Sequence, residues 1–97
     1  MDVFTFQAST VRKDILYKDG DQVIIHLTLQ AGQAIPEHSG NDAIVTVIPI
    51  RGEIAFSTQD QTATLVPGKL ARLNARERHS LRAAKDSEAI LVKWNNR

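Results

Sequence analysis

From Asp19 to Gly68 turn signals recur about every 8 to 12 residues, which limits the chain to short elements joined by short connections. Asp19-Gly20 separates Ile15-Leu16-Tyr17 from Val23–Leu29, a hairpin signal because glycine tolerates the positive φ of a tight turn. The second arm alternates: Val23, Ile25, Leu27 and Leu29 take one face, and Ile24, His26, Thr28 and Gln30 the other. Ala31-Gly32-Gln33 ends that strand, and Pro36 disfavours a helix before His38. Ala43 to Ile50 is rich in β-branched residues and reads as a strand buried largely on both faces, with Pro49 marking its end or an edge position. After Arg51-Gly52, Glu53 to Ser57 and Thr62 to Val66 form a second hairpin around the polar tip Thr58-Gln59-Asp60-Gln61, and Pro67-Gly68 turns again.

Asn74 to Trp94 is harder to read. Ala75, Arg76, Glu77, Leu81, Ala83 and Ala84 are good helix formers by propensity. Asp86-Ser87 interrupts the segment, however, and Ala89-Ile90-Leu91-Val92-Lys93-Trp94 suits a buried strand, so two strands joined at Lys85 to Ser87 are expected. The whole reads as one all-β domain over residues 1–97, an antiparallel sandwich or barrel. A chain this size buries only about 60 to 65% of its unfolded surface and has one core.

Composition removes several function classes. Twelve Lys and Arg against eleven Asp and Glu leave a formal charge of +1, so no broad field selects nucleic acid or an anionic membrane. The cluster Arg72, Arg76, Arg78, Arg82 is interrupted by Glu77 and lacks aromatic neighbours for base stacking. With no cysteine there is no disulfide, thiolate metal site or cysteine nucleophile. Met1 to Phe6 has no basic leader followed by an apolar stretch, and no run approaches the roughly 20 apolar residues of a membrane helix. A cytoplasmic location is the expectation. Ser39 and Ser80 adjoin histidines, but neighbouring strand residues point to opposite faces, so neither pairing is a nucleophile with its base.

Two histidines carry the chemistry. Gly32, five residues, His38 and then Gly52 keep the spacing of the first motif of the cupin superfamily, G-x5-H-x-H-x4-E-x6-G. Gly68 and His79 fit its second motif, G-x5-P-x-G-x2-H-x3-N, after a short inter-motif hairpin of fifteen residues. The chain resembles a small single-domain cupin over about Val23 to Trp94, with a degenerate metal motif. Gly40 stands where the second histidine would be and Val45 where the glutamate would be, so two of the four usual ligands are missing. Asn74, Arg76 and Ala83 replace the proline, glycine and asparagine of the second motif. A subset of small cupins of unassigned activity shares the Pro-x-His-Ser segment at Pro36–Ser39, an Asp near Asp42 and the pair His79-Ser80.

The resemblance implies an antiparallel jelly-roll β-barrel, a homodimer, and a pocket around His38 and His79 lined by residues such as Val45 and Val47. Three functions stay open. The first is a small-molecule binding domain with a reduced two-histidine site. The second is a metal-dependent enzyme of dioxygenase or isomerase type, using His38 and His79 on one divalent transition metal (Zn, Mn, Fe or Ni), with Asp42 as a weak third candidate ligand. The third is a structural dimerisation module. His26, opposite in face to Leu27, reads as a surface or interface histidine, and Arg51 and Arg72 as solvent-facing residues with a lesser claim on a carboxylate.

Overall fold

The computed structural model describes residues 1–96, and these form nine strands and no helix, hence no helix long and apolar enough to cross a membrane. In chain order they are β1 (Lys13–Lys18), β2 (Gln22–Leu29), β3 (Ala34–His38), β4 (Ala43–Arg51), β5 (Ile54–Thr58), β6 (Thr62–Leu65), β7 (Ala71–Asn74), β8 (His79–Ala83) and β9 (Ser87–Asn95). One sheet runs β1-β2-β9-β4-β7 and the other β3-β8-β5-β6, with every pairing antiparallel. Both expected hairpins are present, β1–β2 across Asp19-Gly20 and β5–β6 across residues 59–61. The helix-prone stretch is strand: β8 and β9 meet at a turn over residues 84–86.

Period-two alternation decides which residues fill the space between the sheets. Leu27 and Leu29 of β2, Val47 of β4, Ile54 and Phe56 of β5 and Leu81 of β8 are all buried there. The opposite face of β4 is less covered than its composition suggests, since Ile48 and Ile50 stay 36% and 39% exposed. Pro49 lies past Val47, the last β4 residue paired with β7, so at that point β4 has a partner only in β9 and the missing N–H is tolerated. Pro36 sits in β3, an edge strand, for the same reason.

Two register shifts re-aim side chains. In β3, Ile35 faces Leu81 of β8, and strict alternation would put Glu37 opposite His79. A shift between Ile35 and His38 seats His38 there instead. In β4, Pro49 faces Ala89, and the shift before Arg51 brings Arg51, not Ile50, opposite Glu88 of β9. Gly52 closes that bend with φ of +86°, and a Cβ on it would collide with the Ser87 hydroxyl and the Asp86 carbonyl and lie 2.8 Å from Ser87 Cα. That close approach is the physical reason for a glycine at the end of the first motif.

Candidate functional site

The β3 shift brings His38 and His79 together with ring centroids 4.3 Å apart. His79 is buried and stacks on Phe56, with centroids 6.0 Å apart and the planes 15° from parallel, whereas His38 lies at the exposed rim. Each ring is oriented by its own backbone: His38 Nδ1 donates to the Pro36 carbonyl at 2.9 Å, and His79 Nδ1 donates to the Glu77 carbonyl at 2.6 Å. A carbonyl only accepts, so Nδ1 carries the proton in both rings and Nε2 is left as an acceptor in the neutral imidazole. No hydrogen bond among the described residues uses either Nε2.

Both rings border a cavity of about 150 Å³ between the sheets. Its far wall comes from the five-stranded sheet, with Ile25 of β2, Val45 of β4 and Leu91 and Lys93 of β9; Lys13 of β1, Gly40 and Ala75 complete it. Val45 borders this cavity. Val47 does not: it shares the inward face of β4 but lies two residues deeper, 1% exposed in the closed core. Lys13 and Lys93 were not among the residues the sequence pointed to. For Lys93 a signal exists, because it shares parity with Ala89 and Leu91 and is the sole charged residue in the run Ala89 to Trp94.

Asp42 is not brought to the histidines. Its Oδ1 accepts from Asn74 Nδ2 at 2.8 Å and Asn96 Nδ2 at 3.2 Å, and Arg76 Nη2 stands 3.7 Å from Oδ2. These contacts, Asn74 foremost, hold its carboxyl below the ordinary range, as an ionised group already provided with partners. Among the described residues no three His, Cys, Asp or Glu side chains are grouped to hold a metal ion. The donor set present is therefore two imidazoles, half of a four-coordinate shell, and does not fit a closed mononuclear metal site.

His26 is placed differently from the surface or interface position expected of it. It is 1% exposed on the outer face of the five-stranded sheet, with the Phe6 ring of the N-terminal segment 4.8 Å away from its own. Its Nε2 donates to Glu88 Oε1 at 2.9 Å, and Arg51 Nε donates to Glu88 Oε2 at 2.7 Å. The Arg51 hydrogen bond, aided by His26, lowers the Glu88 pKa against the opposing effect of burial. Arg51 is thus committed to this cluster. Arg72 borders a larger groove of about 730 Å³ between β6 and β7, which contains no histidine among the described residues.

This arrangement of strands matches solved structures closely over nearly its whole length. An RmlC-like cupin from Desulfovibrio desulfuricans superposes with a TM-score of 0.85 at 19% identity, over 97% of this chain and 96% of that one. An RmlC-like cupin family protein with a double-stranded β-helix fold from Methanocaldococcus jannaschii gives 0.79 at 22% identity, over 98% and 91%. A cupin superfamily protein from Desulfitobacterium hafniense gives 0.82 at 15%, over 95% and 84%. The chain has the cupin fold. No protein-family model and no curated protein matches the sequence, and identities this low speak to architecture alone. Within that cupin barrel the two-histidine cavity is the feature of this chain that calls for a functional explanation.

Proposed function

We propose that this cupin barrel binds a small molecule in the cavity over His38 and His79. The observation that carries the reading is the pair of imidazoles with Nδ1 fixed on backbone carbonyls and both Nε2 atoms free beside a cavity walled by Ile25, Val45 and Leu91. An apolar wall with a few convergent polar atoms is what a small ligand with a polar group needs. The metal-enzyme reading is left with two imidazoles, because Gly40 and Val45 supply no donor and the Asp42 carboxylate is held by Asn74 and Asn96.

The test is a thermal-shift and NMR screen of small molecules of mixed charge, run with chelator present and repeated with zinc, manganese, iron or nickel. A ligand that raises the melting temperature in chelator, moves the amide signals of His38 and His79, and loses both effects in His79→Gln supports the proposal. A stabilisation that appears only with metal, at near-stoichiometric metal content, would replace it with the enzyme reading.

A further inference from the structure

The charged residues around the cavity are sorted by sign. Lys13 and Lys93 border it, and among the described residues no aspartate or glutamate does. The acidic residues nearest in sequence are directed elsewhere. Glu37 stands 3.8 Å from Arg78, Asp42 is held by Asn74 and Asn96, and Glu77 borders the groove between β6 and β7. Asp14 follows Lys13 but pairs with His26, on the outward parity of the sheet. Neither lysine has an ion pair among the described residues. In a chain whose formal charge is only +1, this is a local excess of positive charge at the same cavity that holds two imidazoles.

The polar atoms are of two kinds. The lysine ammonium groups donate only, and each neutral imidazole offers an acceptor at Nε2. A complementary molecule carries an anionic acceptor for the lysines, a hydroxyl donor for an Nε2, and an apolar body against Ile25, Val45 and Leu91. Size narrows it further, since a cavity of about 150 Å³ accepts a body the size of a benzene ring. We infer that the ligand is a small hydroxy-carboxylate, one ring or an equivalent short chain in extent, held by Lys13 and Lys93 at its carboxylate and by His38 or His79 at its hydroxyl. This rests on the reading of the cavity as a small-molecule site and names the chemical class that site selects.

The experiment compares three probes of nearly one shape, 3-hydroxybenzoate, 3-hydroxybenzamide and 3-hydroxybenzylamine, titrated in chelator with amide NMR as readout. The carboxylate is expected to shift the signals of His38, His79, Leu91 and Lys93 and to bind at least about tenfold more tightly than the amide, as a charge-assisted contact implies. Lys13→Gln/Lys93→Gln should abolish that preference while the melting temperature stays near wild type, because both side chains reach solvent. Equal binding of all three probes at the cavity overturns the anion inference and leaves the small-molecule reading standing. Carboxylate shifts confined to Lys69 and Arg72 in the other groove overturn it as well. If none of the three moves the cavity signals the inference fails, and the small-molecule reading fails with it only when the mixed-charge screen is also blank.

Discussion

The five-stranded sheet carries a histidine site against each face, and the two are opposite in design. On the outer face His26 and Arg51 both donate to one carboxylate, Glu88, and the group is closed over by Phe6. Against the inner face His38 and His79 have no carboxylate partner among the described residues, and their Nε2 atoms remain free beside a cavity. In the first site both oxygens of the carboxylate are taken up by donors of the same group. The second leaves acceptors and cations unmatched, at a place a small molecule can enter. Residue type is the same in both; the partner set is what differs.

The comparison breaks most readily at Glu88. Removing its side chain in Glu88→Ala leaves His26 buried without its acceptor, and is expected to cost about 3 kcal/mol in urea unfolding, whereas His38→Ala at the exposed rim should stay within about 0.5 kcal/mol. The pH dependence has a defined sign. The Glu88 pKa is lowered on folding, so its stabilisation is present above the ordinary value of 4.5 and disappears as pH falls through the lower folded value. The stability gap between wild type and Glu88→Gln should therefore narrow below pH 4.5; a gap that widens in acid would show that the carboxylate is not the stabilising member.

The inner site is sharpened by giving it what it lacks. Gly40 borders the cavity, its φ is not in the left-handed region, and an added Cβ would lie 3.6 Å from Ala75 Cβ, an ordinary contact. Gly40→His/Val45→Glu places a third and fourth donor at the cavity, and zinc at 100 times its Kd should then stabilise the variant by about 2.7 kcal/mol. The wild type should gain far less at the same zinc concentration. Equal gains would mean that His38 and His79 already hold the metal without those donors, and the inner site would then be a metal centre.

The strands and both hairpins were legible because turn residues and period-two patterns are local signals. His38 and His79 were legible because their spacing behind Gly32 and Gly68 survives. Partners were less so. The pairing of Asp42 with Asn74 and Asn96 joins three separate segments, and the burial of His26 needs Phe6 laid across a sheet from another part of the chain. Alternation also misleads at a bulge: counted from Ile35 it points Glu37 inward, and only the register shift across Pro36 restores His38. Val47 failed for a simpler reason, since parity gives the face of a strand and not the depth along it.

A smaller effect than those at Glu88 and at the zinc variant is expected beside the outer cluster. Thr28 faces Glu88 in the register of β2 and β9, and its Oγ1 is buried with no hydrogen-bond partner among the described residues, Glu88 having given both oxygens to His26 and Arg51. An orphaned hydroxyl keeps its desolvation cost without a compensating bond, so Thr28→Val, which preserves shape and β-branching, should stabilise the fold by up to about 1 kcal/mol. Chemical denaturation with an unchanged m-value is the measurement. A loss of stability instead would reveal that the hydroxyl does bond within this cluster, most simply to a water beneath Phe6. The outer site would then be less closed than its three named members make it, and the contrast with the inner cavity correspondingly weaker.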